Sequence, residues 1–242
     1  MIPFLLAAAA ATAAPAAAPL ITGTATRAAC GDVVTPDALI CRALEAEKNG
    51  NSVSAAQGFD EAAKAAPDKD PRAARMYAAA GNLWIAANQP AKAAADLDKA
   101  LALNGLEGKQ RGQALLDRAR AAEGQGDLVT ARARLNEAKA TISDDPFYWY
   151  FSAALALRER DGATAQSAIS KALSLAPADP AVLFEAGHVA DFNGNDDQAR
   201  SYWMRAAGSD PGGPVGKAAA KAVEMLGVTP VVKTDPAPHP RS

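Results

Sequence analysis

Alanine recurs in this chain at a spacing that few folds can accommodate. In each of five blocks, 36–69, 74–107, 112–145, 146–179 and 180–213, alanine occupies the twentieth and the twenty-seventh position. The last three blocks follow one another at a period of 34 residues, and four extra residues follow each of the first two blocks. Positions seven apart lie on one face of a helix, where alanine lets a neighbouring helix approach closely. The sequence therefore predicts helices that stack side by side.

Each block has the pattern of two helices joined by a turn. The eighth position is always Ala or Gly, and the fourth and twenty-fourth positions are always large. Turns such as "NGNS" at 49–52 and "NGND" at 193–196 supply residues that end one helix and cap the next. Breakers such as Pro177 follow the second helix and turn the chain back. The extra residues, "DPRA" at 70–73 and "GKQR" at 108–111, are expected to lie between helices.

This 34-residue helix–turn–helix period resembles the tetratricopeptide repeat family. The resemblance implies an all-α, right-handed α-solenoid of five helix–turn–helix units within a domain spanning 36–227, with a solvent-facing cap helix at 215–226. At the eleventh position, where the family favours an aromatic residue, only Trp84 complies. The seventh position, where the family favours Leu, holds other residues: Arg42, Ala80, Arg118, Ser152 and Ala186. We therefore expect thin packing within repeats and stability that depends on stacking between neighbours.

Both ends of the chain differ in composition from the repeats. Residues 1–18 carry no charged side chain and resemble a secretory signal peptide, although its start lacks the usual Lys or Arg; a flexible Ala/Pro leader is the alternative. Residues 19–35 form a linker that contains Cys30, and residues 228–242 are Pro-rich, polar and predicted to be disordered. A periplasmic or secreted location is expected, with no integral membrane span after removal of the signal.

The two cysteines, Cys30 and Cys41, lie just after this leader. In an exported chain, an even pair this close in sequence is read as a disulfide. A lipid anchor on Cys30 is the weaker alternative, because Arg27 stands where a lipidation motif requires an aliphatic residue.

Residue patterns that serve in catalysis or metal binding are scarce in this sequence. The only histidines are His188 and His239, so the chain lacks a histidine metal cluster, an HExxH helix and a plausible Ser–His relay. It contains no G-x-S-x-G motif. The net charge is −2 and both signs are interspersed, which argues against a nucleic-acid partner. We predict a protein that is not an enzyme and that uses no cofactor and no metal.

The resemblance places five positions of each first helix, the second, fifth, ninth, twelfth and thirteenth, on a concave groove. In the fourth and fifth repeats these positions hold four aromatic residues in a chain that contains few: Phe147, Tyr150, Phe184 and Phe192. They predict a hydrophobic anchor pocket with a polar rim of Arg158, His188 and Asp191. The alternative is that the rings only pack between repeats.

Further groove candidates are Leu157 in the fourth repeat, Asn82 in the second and Arg120 in the third. Some family members grip a peptide's terminal carboxylate with Lys, Asn and Arg, and Asn82 has a suitable position for such a clamp. The companion Lys positions hold Ile40, Ala78 and Leu116, so this clamp is not expected.

The predicted function is that of a protein–protein interaction scaffold in the cell envelope, which binds an extended or helical partner segment in its groove. One alternative is a structural or self-associating module whose groove is filled by its own tail or by another protomer. Another is an accessory subunit of an envelope enzyme complex.

Overall fold

The computed structural model describes residues 30–226, and the predicted signal peptide and the whole predicted C-terminal tail lie outside this range. Eleven α-helices occupy the described range, and it contains no strand. They are α1 (Pro36–Lys48), α2 (Ser52–Ala65), α3 (Arg72–Ala86), α4 (Pro90–Ala102), α5 (Gly108–Gly124), α6 (Leu128–Ile142), α7 (Pro146–Arg158), α8 (Gly162–Leu175), α9 (Pro180–Phe192), α10 (Asp196–Ser209) and α11 (Pro214–Leu226).

The helices form five hairpins that stack in chain order. Each odd-numbered helix from α1 to α9 packs against the even-numbered helix that follows it, and the second helix of each hairpin contacts the next hairpin. Helix α11 packs on α10 and closes the stack. The predicted α-solenoid of five helix–turn–helix units with a C-terminal cap helix is confirmed.

The recurring small residues lie where helices meet. All ten alanines at the twentieth and twenty-seventh positions have no exposed surface: Ala55, Ala93, Ala131, Ala165, Ala199, Ala62, Ala100, Ala138, Ala172 and Ala206. The eighth position faces the large twenty-fourth position of the same repeat. A Cβ atom on Gly187 would lie only 2.2 Å from the Trp203 indole nitrogen, and one on Gly81 only 2.4 Å from Leu97. Glycine is therefore required at these contacts for steric reasons.

The turn within each hairpin has one conformation throughout the stack. The fifteenth residue of every block has a positive φ: Gly50 (73°), Asn88 (55°), Gly126 (79°), Arg160 (63°) and Gly194 (75°). This left-handed residue ends the first helix. In four of the five hairpins, an Asn or Asp side chain then accepts a hydrogen bond from a backbone N–H in the first turn of the second helix.

The two four-residue extensions were expected between helices, and this prediction was wrong for all of their residues except Asp70 and Pro71. Residues 108–111 form the first turn of α5, and Arg72 and Ala73 begin α3. As a result, α3 has 15 residues and α5 has 17, whereas the other first helices have 13. Four residues add about one helical turn, so the helix lengthens while its buried face keeps its direction.

The start of the first repeat is held by a covalent link. Cys30 and Cys41 form a disulfide with their Cα atoms 5.6 Å apart, which joins the segment before α1 to α1 itself. The Arg42 guanidinium donates hydrogen bonds to the carbonyl oxygens of Gly31 and Val33 in the same segment. Across residues 30–226, every helix is too short or too polar to cross a membrane.

Candidate functional site

The first helices of the repeats provide the candidate binding groove. Helix α3 contacts α5, and α7 contacts α9, so these helices lie next to one another along the stack. In repeats one and three the fifth position, assigned to the groove from sequence, is buried: Ile40 is 5% exposed and Leu116 is 0% exposed. In repeats four and five the same position holds Tyr150 and Phe184, which are half-buried. These rings pack between repeats and also present part of their surface.

The four groove aromatics do not gather in one cluster. The rings of Phe147 and Tyr150 stack with centroids 5.6 Å apart, and the Phe184 ring contacts the His188 ring at 4.5 Å. Within residues 30–226, no ring contact joins these two pairs. Phe192 lies next to Gly162 at the start of α8. The rings therefore occupy three places along α7 and α9, where the sequence suggested a single pocket.

Leu157, the remaining apolar candidate, is half-buried and packs against the core shared by α7, α8 and α9. It contributes to the stacking of repeats four and five.

Most polar candidates in repeats two to four already have partners in the neighbouring repeat. The Asn82 amide donates a hydrogen bond to Asp117 (3.0 Å), and Arg120 donates to the other oxygen of the same carboxylate (2.9 Å). The Arg120 guanidinium also lies 5.3 Å from the centre of the Phe147 ring. Arg158 forms an ion pair with Glu123. These side chains connect repeats, and their charges are largely neutralised within the chain.

The polar residues of α9 are different, because residues 30–226 supply them with no hydrogen-bond or ion-pair partner. His188 lies between the rings of Phe184 and Trp203, and burial lowers its pKa to about 4, so it is neutral at pH 7. Asp191 is largely exposed, and its pKa is raised by partial desolvation of the carboxyl group and by the charge of Asp196. Neither side chain makes a hydrogen bond or an ion pair within the described range.

Two further carboxylates of the first helices, Asp117 and Glu185, were missed by the sequence analysis. Both occupy the sixth position of a first helix, outside the set that the resemblance assigned to the groove. Glu185 is 8% exposed, and burial raises its pKa to about 7. Its local sequence, "PAVLFEAGHVADF", contains no other charged residue before Asp191. A lone carboxylate in an apolar helix was the signal that could have identified it.

A separate depression lies at the tips of the first two hairpins. It is lined by residues 49–53 together with Ala86 and Ala87, and its volume is about 420 Å³. The lining contains only small residues and one polar turn, and it lies on other helices than the aromatic residues. We therefore assign the candidate site to α7 and α9.

Helical hairpins stacked in this way define an α-solenoid. The chain has the tetratricopeptide repeat fold, as the sequence resemblance predicted, and similar solved structures share it. PilW, a widely conserved type IV pilus biogenesis factor, is 21% identical over 76% of this chain and 82% of its own, with a TM-score of 0.63. PilF of Pseudomonas aeruginosa is 22% identical over 79% of this chain and 88% of its own, with a TM-score of 0.59.

A third similar structure is YrrB, a TPR protein with an unusual peptide-binding site. It is 19% identical over 76% of this chain and 91% of its own, with a TM-score of 0.54. No protein-family model and no curated protein matches the sequence. At sequence identities of 19–22%, the structural similarity establishes the shared fold alone.

Proposed function

We propose that this protein is a non-enzymatic scaffold that binds a segment of a partner protein in the groove formed by its first helices. One observation carries the proposal. On α7 and α9, partly buried aromatic rings lie beside polar groups that have no partner within the described chain, whereas Asn82, Arg120 and Arg158 in repeats two to four are paired. Partly exposed rings next to unpaired polar groups are typical of binding surfaces.

The rings indicate what kind of segment would bind. Phe147 and Tyr150 on α7, and Phe184 on α9, offer apolar surface at successive repeats. An extended or helical segment laid across the first helices would contact both pairs of rings, with apolar side chains spaced to match. YrrB, which shares the fold, has a peptide-binding site, and this supports the same mode of binding here.

We place this activity in the cell envelope. The disulfide between Cys30 and Cys41 favours an oxidising compartment, since such bonds are rare in the cytosol. Residues 1–18 resemble a signal peptide. PilW, which shares the fold, is a type IV pilus biogenesis factor, and this supports the same placement.

Site-specific photo-crosslinking in living cells would test the groove. A photoreactive phenylalanine analogue replaces Phe147 or Phe184 in the full-length protein. Matched controls carry the analogue at Val129 (83% exposed) and Met204 (60% exposed), which belong to the second helices α6 and α10. We expect one and the same partner to be crosslinked from both groove positions and from neither control.

Other crosslinking results would contradict the proposal. Products from the control positions alone, or from all four positions equally, would remove the groove as the binding surface. A crosslink to a second copy of the chain, or to residues 228–242 of the same chain, would identify a self-associating module. Light scattering of the full-length protein and of a chain lacking those residues would then distinguish between these two forms of self-association.

A further inference from the structure

Glu185 is a buried carboxyl group that lacks a partner in the described chain. It lies in α9, is 8% exposed and makes no hydrogen bond or ion pair with any residue from 30 to 226. Helix α9 packs against α7, which carries Tyr150, and the charge of Glu185 acts on the Tyr150 phenol. The Tyr150 hydroxyl likewise has no hydrogen-bond partner in the described range. Neither group has a completely buried oxygen atom, so solvent or a ligand can reach both.

The repeats provide an internal comparison. Asp117 occupies the same position in repeat three that Glu185 occupies in repeat five. Two side chains at the ninth position satisfy Asp117: Asn82 from the preceding repeat and Arg120 from its own. This is how the fold neutralises a carboxylate at this position.

Glu185 has neither of these donors. The ninth position of the preceding repeat is Ala154, and that of its own repeat is His188. Ala154 has no polar side chain and is only half-buried, so it leaves the carboxyl group accessible to a group approaching along the groove. The cation that Asp117 obtains from Arg120 is therefore absent at Glu185.

The surroundings favour a positive charge. Burial is the main cause that raises the pKa of Tyr150, and the charges of Glu185, Asp179 and Glu123 raise it further, whereas Arg120 lowers it. Arg120 is bound to Asp117, and Glu123 is paired with Arg158. The Tyr150 and Phe184 rings provide apolar and π-electron surface for the methylene groups and the charge of a long basic side chain.

We propose that Glu185 and the Tyr150 hydroxyl form a subsite that binds a lysine or arginine side chain of the partner segment. The basic side chain would take the place that Arg120 holds at Asp117. The subsite rests on the proposed function, because it needs a segment in the groove. It also predicts which partner segments bind: those with a basic residue flanked by apolar residues.

The experiment uses a random peptide library displayed on phage and selected against the full-length protein. We expect selected peptides to share one Lys or Arg between apolar residues. In a synthetic peptide, replacing that residue by norleucine should weaken binding to the unaltered protein about tenfold, measured by calorimetry. The same replacement should have little effect on binding to a Glu185→Gln variant, which keeps the side-chain shape. The Glu224→Gln variant, altered on the exposed face of α11, is the matched control and should behave as the unaltered protein does.

Each remaining outcome has a definite meaning. Groove-binding peptides without a basic preference, or a norleucine effect that persists in Glu185→Gln, would overturn the subsite and leave the proposed function standing. If no selected peptide crosslinks to the photoreactive analogue at position 147, both the subsite and the proposed function are refuted. Tighter peptide binding by a chain lacking residues 228–242 than by the full chain would assign the subsite to the tail, which contains Lys233 and Arg241. That result would refute a partner's basic residue as its occupant.

Discussion

Replacing Glu185 by glutamine should stabilise the protein at neutral and alkaline pH. Burial raises the pKa of Glu185 from 4.5 to about 7. Between these pH values the folded protein keeps a proton that the unfolded chain has released, so the free energy of unfolding falls as the pH rises. At about 1.4 kcal/mol for each unit of pKa difference, the loss reaches about 3 kcal/mol above pH 7. Glutamine has the same shape and cannot ionise, so the Glu185→Gln variant avoids this loss.

His188, one turn along the same helix, contributes with the opposite sign. Burial lowers its pKa from 6.5 to about 4, so the unfolded chain binds a proton that the folded protein excludes. As the pH falls from 6.5 to about 4, the free energy of unfolding therefore decreases, and the total decrease is about 3 kcal/mol. In the unaltered protein the two contributions cancel between about pH 4.5 and 6.5. In Glu185→Gln only the His188 contribution remains, and stability should rise with pH.

Urea unfolding followed by circular dichroism, at a series of pH values from about 4 to 8, measures both proteins. The quantity of interest is the difference in the free energy of unfolding between them. The charged groups that act on Tyr150, namely Arg120, Glu123 and Asp179, are common to both proteins and largely cancel in this difference. As the pH rises through the series, the free energy of unfolding of the variant should increase by about 3 kcal/mol relative to that of the unaltered protein. A difference that does not change with pH, or a variant that is less stable above pH 7, would show that Glu185 has a partner and would refute the reasoning.

Three further changes test the packing of the repeats by thermal or urea unfolding. Gly187→Ala should destabilise the protein by about 1–3 kcal/mol, because the new methyl group meets the Trp203 indole. Gly208→Ala is the control: no atom lies within 4 Å of its added Cβ, so it should stabilise α10 by about 0.5–1 kcal/mol, and equal effects of the two changes would contradict this packing. Arg160→Gly should raise the stability by up to about 1 kcal/mol by relieving a φ of 63°, and a loss would show that the turn is not strained. Reduction of the disulfide should cost about 3 kcal/mol on the chain-entropy model, and an unchanged melting temperature would contradict it.

The fold could be predicted from the sequence because helix geometry is the same in every repeat. A small residue at the eighth position and a large one at the twenty-fourth meet in each hairpin, so five copies of the pattern supply the same information five times. The extensions at 70–73 and 108–111 were misplaced because their polar residues resemble turns. A helix can grow at its N-terminus without disturbing its buried face, and the pattern of buried residues does not record this growth.

The site could be predicted only in part. The sequence identified the first helices of repeats four and five and their aromatic residues, but it did not show that Phe147 pairs with Tyr150 and that Phe184 pairs with His188. It also offered Asn82, Arg120 and Arg158 as groove residues with no indication that the chain itself neutralises them.

The sequence by itself determined the architecture of this protein: the number of hairpins, their turns and their buried small residues. Local helical geometry determines these features, and the same residue pattern recurs in every repeat. Only the tertiary structure decided which charges have partners. Asn82 reaches Asp117, and Glu123 reaches Arg158, across 35 residues of sequence, because stacking brings consecutive first helices side by side. Whether a carboxylate such as Glu185 is neutralised depends on that stacking and on the side chains that the neighbouring repeats provide.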